Sequence, residues 1–325
     1  MSTGTIAGSL ITFLPGTKCF ARTGRLSAWN GTTATVLAER LDATDSRSAC
    51  TFAGQYDYLH GGSEYHLWGK LDYLDAAGEW FRDPLTDQLY ARMPDSANPT
   101  THTVELRKRS YAISVDDPHP GTGDYDWIEI SGLRIVGATI HVAKNCDGVV
   151  FRDLDCRYLT SVNDLRAPDY IARWPYMVIF NGTQGGILDS SFTGLESGIE
   201  LNGRGNVLRN CVLSDCGAIG VPPAVGTNIG PESATNDGSQ AQRNVIENCT
   251  FLGGAYSAVS LAAGTNVLAN EVVATHRQGN DLGALSCGPG TDAKGIEVAW
   301  NRVHDLYPQV RDLSDSSNGG AGSFY

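Results

Sequence analysis

Charge is scarce in this 325-residue chain, in which Asp, Glu, Lys and Arg together make up only 18% of the residues. Good helix formers such as Lys and Glu are therefore few, while 38 glycines and 13 prolines supply turns, and this balance excludes a mainly helical protein. No Lys/Arg run is long enough to act as a local exception to a net charge of -12, which repels a phosphate backbone, so nucleic acid is not an expected partner. No stretch approaches the roughly 18 to 20 apolar residues of a membrane-spanning helix. The short apolar run from Ile6 to Leu14 has no basic region ahead of it, so no export signal is readable. None of the eight cysteines falls in a CxxC pair, which removes the usual zinc spacing. A chain of this length does not need disulfide staples, and the cysteines are read as buried thiols in preference to disulfides.

What is present is a repeat. From residue 127 onward a phrase recurs in which an aliphatic residue and a variable one precede Asn or another small polar residue. Its clear copies are Asn206-Val-Leu-Arg-Asn210, Asn244-Val-Ile-Glu-Asn248 and Asn266-Val-Leu-Ala-Asn270, and weaker ones end on Ser131, Asp153, Ser190 and Asn301. The polar positions are spaced by 22, 37, 20, 38, 22 and 31 residues, as expected of a unit of about 22 residues carrying occasional insertions. A second alternating run lies between the phrases: Gly198-Ile-Glu-Leu201, Ala258-Val-Ser-Leu261 and Gly283-Ala-Leu-Ser286.

Each unit thus holds at least two short strands and cannot bury its apolar residues alone, so successive units must stack with their strands paired in parallel. The expected fold is all-β, a right-handed parallel β-helix over 110–325. Leu208, Ile246 and Leu268 are expected at equivalent buried positions, and Asn210, Asn248 and Asn270 in an internal asparagine ladder. Cys211 and Cys249 hold the same place in two successive units.

Residues 1–109 lack the phrase and read as an N-terminal antiparallel β subdomain, with strands expected at 33–38, 65–68, 79–81, 88–91 and 103–106. Trp68, Trp80, Phe81 and Tyr90 form either the core of this small sheet or a sugar-stacking surface.

The segment Leu67-Trp-Gly-Lys-Leu-Asp-Tyr-Leu-Asp-Ala-Ala-Gly-Glu-Trp-Phe-Arg-Asp83, with Leu89-Tyr-Ala-Arg-Met-Pro-Asp95, Thr103-Val-Glu-Leu-Arg107 and Trp127-Ile-Glu-Ile-Ser-Gly-Leu133, resembles a strand-rich insertion in large bacterial β-helix proteins of the pectate-lyase-like superfamily. The resemblance implies a carbohydrate-active, extracellular protein: a glycoside hydrolase, with a polysaccharide lyase or epimerase as the alternative. Fold alone does not choose among these. A non-catalytic glycan-binding or fibre-type β-helix is the reading from a different class. Such proteins usually begin with a signal peptide and earlier coils and continue past Phe324-Tyr325, so the chain is expected to be incomplete.

Glycosidic bonds are cleaved by paired carboxyl groups or, at uronates, by a base assisted by a cation, and both need titratable groups gathered on one outer face. The candidate catalytic residues are Asp281, at a loop-to-strand entry; His304 and Asp305, after the last phrase; and Glu200, between apolar Ile199 and Leu201 and equivalent to Ser260 and Ser286. Arg204, Arg277 and His276 are the candidate substrate-binding residues. If Asn301 is the ladder residue, His304 matches Leu213 and Phe251 and is buried; if Trp300 is, His304 lies at the surface. His304 and Asp305, being adjacent on a strand, are expected to point to opposite faces. No metal or cofactor is expected, apart from weak Ca²⁺ spacing at Asp312, Asp315 and Asn318.

Overall fold

The computed structural model of the protein describes residues 6–13, 22–38, 65–83, 85–109, 111–116, 125–159, 178–195, 198–216, 225–228, 243–254, 257–261, 264–275, 283–287 and 296–306. They are all-β, with helix confined to two short 3₁₀ turns, Leu71–Tyr73 and Pro99–Thr101. The chain divides into two compact units, Met1–Gly16 with Ala21–Lys108, and the remainder including Arg109–Tyr325.

In the first unit, strands Ala34–Ala38, Arg22–Trp29, Leu10–Phe13 and Tyr65–Trp68 pair in that order as an antiparallel sheet, and Trp80–Arg82 and Leu89–Ala91 form a separate hairpin. Ile6, Ile11 and Leu26 form its core, with Trp29, Ala34, Leu67 and Tyr73 packed against them. The aromatic residues singled out from the sequence are not that core. Trp80 is 55% exposed, Phe81 and Tyr90 stack on each other across the hairpin, and Trp68 donates its indole N–H to Thr12 Oγ1 at 3.1 Å. The strand expected at 103–106 does not form: Val104 and Leu106 are exposed, and among the described residues the segment has no ladder partner.

The second unit is built from three seven-stranded parallel sheets, and every third strand returns to the same sheet. The first sheet stacks Tyr111–Val115, Thr139–Val142, Val178–Phe180, Ile199–Asn202, Val225–Asn228, Val259–Leu261 and Leu285–Cys287. The second stacks Glu129–Ser131, Val150–Arg152, Gly186–Leu188, Val207–Arg209, Asn244–Glu247, Thr265–Leu268 and Val298–Ala299. The third stacks Arg134–Val136, Asp155–Arg157, Ser191–Thr193, Val212–Ser214, Thr250–Leu252, Glu271–Val273 and Arg302–His304. One strand from each makes one pass, and the described residues make seven passes.

The alternating pattern of each short strand sends one residue inward, and parallel register places it on its counterpart in the next pass. Ile187, Leu208, Ile246 and Val267 stack in the second sheet and Phe192, Leu213, Phe251 and Val272 in the third, all essentially inaccessible. Each such side chain contributes about 1.5 to 3 kcal/mol relative to an exposed one, which a single pass has no neighbours to provide.

The polar columns differ from the expected ladder. Gly132, Asp153, Asp189, Asn210, Asn248, Ala269 and Trp300 all have positive φ at the corner between the second and third sheets. Asn and Asp recur there because they tolerate the left-handed region. This column is exposed: Asn248 Nδ2 donates to Asn210 Oδ1 at 2.7 Å and Asn210 Nδ2 to Asp189 Oδ1 at 2.8 Å. Asn270 and Asn301 sit one residue later, in the buried column with Cys211, Cys249 and Ser190. There Asn270 Oδ1 accepts the Cys249 N–H at 2.9 Å and Asn301 Oδ1 that of Asn270 at 2.9 Å.

The third clear phrase is therefore one residue out of step with the other two, since Val245 pairs with Asn266 and Ile246 with Val267. Leu268 pairs with Glu247, is only partly buried, and is not the counterpart of Leu208 and Ile246. A one-residue slip turns a whole strand over, and burying Val267 decides the register. A second buried pair, Asn206 and Asn244, opens the second-sheet strands.

Candidate functional site

Corners between the second and third sheets take two residues, whereas most connections on either side of the first sheet are longer, with 18 residues (160–177) before Val178 and 14 (229–242) after Asn228 lying outside the described residues. The outward face of the first sheet belongs to the strands with the longest intervening sequence. Register aligns Ser114, His141, Ile179, Glu200, Gly226, Ser260 and Ser286 along it. Glu200 alternates with the fully buried Ile199 and Leu201 and, as the sequence reading expected, lies in line with Ser260 and Ser286. Its carboxyl is flanked by Ile179 on one side and by a glycine on the other.

Glu200 is half-buried, and loss of solvent raises its pKa above the ordinary carboxylate range, a shift that an Asn202 amide partly opposes. Asn202, two residues on and on the same face, donates from Nδ2 to Asn181 Oδ1 at 2.7 Å. Among the described residues Asn202 Oδ1 is buried without a partner. Loss of solvent thus shifts the Glu200 carboxyl in the direction a general acid requires. Arg204 lies just beyond this strand, at the corner where its carbonyl accepts the Gln184 N–H at 2.8 Å. Farther along the same face the exposed ring of Tyr111 lies 5.3 Å from that of His141, whose Nδ1 is 3.4 Å from Ser114 Oγ.

His304 and Asp305 lie elsewhere, at the end of the last third-sheet strand. Val273 pairs with His304, and Trp300 occupies the left-handed corner column, so the surface alternative for His304 holds. The two side chains do not point to opposite faces. Asp305 has φ 53, in a second column of left-handed residues with Gly137, Tyr158, Gly194, Asp215, Gly253 and Ala274. The chain turns there, strand alternation ends, and His304 Nδ1 meets Asp305 Oδ2 at 2.8 Å. Its other nitrogen, Nε2, lies 3.2 Å from Glu271 Oε1. Hydrogen bonds to Asp305 and then to Glu271 raise the His304 pKa. Glu271 was not singled out from the sequence, since only the 31-residue offset to Arg302 in the stacked register makes the two neighbours. The structure thus joins His304 to Asp305 but places Glu200 on a different sheet, three passes earlier.

Asp281, His276 and Arg277 lie outside the described residues, as do Asp312, Asp315 and Asn318. Among the described residues no three His, Cys, Asp or Glu side chains are grouped to hold a metal ion, and no helix is long and apolar enough to cross a membrane.

A shallow depression of about 590 Å³ lies along the corner of the second and third sheets, beside Asp155 and Asp189. Arg157 holds the Asp155 carboxyl below its usual range, and Asn210 with Arg152 does the same for Asp189. Both stay ionised and committed to these partners, so neither suits the role of acid. No family model, curated protein or solved structure matches this chain.

Proposed function

We propose that the second unit winds as a right-handed parallel β-helix and that the protein is a carbohydrate-active enzyme of the pectate-lyase-like kind, a glycoside hydrolase acting on a polysaccharide or oligosaccharide. The three-sheet order supports the β-helix, because right-handed crossovers are the rule between parallel strands of one sheet. Glu200 is the observation that carries the activity: a half-buried carboxyl with a raised pKa, on an outward line that drops to Gly226, Ser260 and Ser286. In this reading Glu200 protonates the departing glycosidic oxygen, and a second carboxylate on the other side either attacks the anomeric carbon, water then hydrolysing the glycosyl ester, or takes the proton of a water that attacks directly. Asp281, which precedes the last first-sheet strand, Leu285–Cys287, is our candidate for that partner. A separation of about 5 Å would give retention and about 6.5 to 9.5 Å inversion.

Incubation with a panel of neutral and uronate-containing polysaccharides tests the reading. New reducing ends without ultraviolet-absorbing products identify hydrolysis. An unsaturated uronate product would replace it with the lyase alternative, and no product from any substrate would retire catalysis. One observation favours a glycan-binding β-helix without turnover: Glu200 is the sole carboxylate among the described outward strand positions of the first sheet. Glycan retention by the wild type and by Glu200→Gln alike, without cleavage by either, would establish that second reading.

A further inference from the structure

The outward face of the first sheet carries one feature that general acid chemistry does not use. Tyr111 is 44% exposed although it begins a strand, and the pairing of that strand with Thr139–Val142 shifts register between Thr139 and Ile140. Such an irregularity re-aims the side chain beside it. The ring of Tyr111 comes to rest 5.3 Å from that of His141 at an angle of 36°. His141 is fixed in turn, since it alternates with the fully buried Ile140 and Val142 and its Nδ1 faces Ser114 Oγ at 3.4 Å.

We propose that Tyr111 and His141 form a sugar-binding subsite, a ring platform on which one unit of a glycan rests while another unit lies at Glu200. The proposal rests on the reading of this face as a glycan groove. Aromatic rings suit the weakly polar C–H face of a sugar, and a ring nitrogen beside them suits a hydroxyl at its edge. Spacing supports the pairing of the two places. His141 pairs with Ile179 and Ile179 with Glu200, so platform and carboxyl are two strand spacings apart, roughly 10 Å. That leaves room for an intervening sugar unit over Ile179, so ligands shorter than a trisaccharide cannot engage both ends.

The test uses the full chain and neutral homo-oligosaccharides of glucose, mannose, galactose and xylose, from disaccharide to hexasaccharide, with affinity measured by calorimetry and the His141 ring protons followed by NMR. For at least one sugar series, wild-type affinity rises between disaccharide and tetrasaccharide and the His141 signals move. Tyr111→Ala lowers tetrasaccharide affinity about fivefold or more and leaves the disaccharide unaffected, whereas Tyr111→Phe, which keeps the ring, behaves as wild type. Equal affinities of Tyr111→Ala and wild type at every length would overturn the subsite. So would an equal loss in Tyr111→Phe, or no binding of any series by the wild type. Turnover is read separately: a length dependence lost in Tyr111→Ala in a wild type that cleaves nothing leaves the subsite standing and removes the hydrolase reading.

Discussion

Asn244 Oδ1 accepts the backbone N–H of Asn206 at 3.0 Å, and Asn206 Oδ1 accepts that of Gly185, one pass earlier, at 3.0 Å. Both side chains are fully buried, and Asn206 Nδ2 also donates to the carbonyls of Gly182 and Asn202. The amides close backbone valences where the chain enters the second sheet, a place with no strand ladder to do so. A buried polar group left without its partner costs about 1 to 3 kcal/mol.

Asn206→Ala strands one N–H and two carbonyls, so it should lower unfolding free energy by about 3 kcal/mol or more, read from the urea midpoint at constant slope. Asn210→Gly is the control. It keeps the left-handed corner and removes only exposed amide bonds, for a loss of about 1 kcal/mol or less. Equal losses in the two variants would mean that the buried column has no special standing.

The same asparagines explain what the sequence could reveal. Recurrence of aliphatic and Asn positions is visible in one dimension because stacked passes need identical inward residues and identical corners. Two asparagine columns lie one residue apart, however, one exposed and left-handed and one buried, and a phrase ending in Asn does not say which it occupies. Asn270 read as a counterpart of Asn248 is the result. Glu200 was legible because it stands between two apolar residues in a run that recurs at Ser260. Glu271 was not, since its proximity to His304 depends on the length of the intervening insertion. The strand Leu10–Phe13 was equally hidden, because one of its two partners, Tyr65–Trp68, is contributed from far along the chain.

Thiol reactivity should separate one cysteine from five. Among the described residues Cys146, Cys156, Cys211, Cys216 and Cys249 are buried thiols, and Cys287 is exposed. Burial pushes the Cys156 and Cys216 thiols up to about 12, and the adjoining Cys249 together with burial raises that of Cys211. Since the thiolate is the nucleophile, iodoacetamide at neutral pH should label Cys287 in the native protein and the other five only after denaturation, as read by peptide mass spectrometry. Native labelling of Cys211 at the rate of Cys287 would be incompatible with a packed interior.

His304 should act as a local acid-side stabiliser. Asp305 and then Glu271 raise its folded pKa, so its contribution is complete below the unfolded value of about 6.5 and disappears as pH rises through the folded one. Asp305→Asn keeps a residue that tolerates φ 53 while removing the charge. It should lower the His304 pKa in an NMR titration and narrow the stability gap to wild type between about pH 5.5 and about pH 9. A His304 titration unmoved by this substitution would show that the 2.8 Å contact does not persist in solution.

Glu200 offers the most informative measurement, because its burial predicts opposite effects on stability and on activity. Its folded pKa is raised, chiefly by loss of solvent, so between the unfolded value of about 4.3 and the folded one the native state holds a proton that the unfolded chain has released. Stability then falls as pH rises through that window, and the loss stays constant above it. Glu200→Gln removes the titration while keeping shape. The variant should match wild type at about pH 3.5 and exceed it at about pH 7.5, by an amount that denaturant titration at the two pH values reads directly. If Glu200 is the general acid, kcat on the substrate identified by the panel falls by about 10² to 10⁴ in the same variant. Asn202→Ala removes the amide that favours the charged form, which moves the Glu200 pKa further up and, with it, the alkaline limb of the pH–activity profile. A surface glutamate with no role predicts none of this: Glu200→Gln would then follow wild type in stability at both pH values and in turnover.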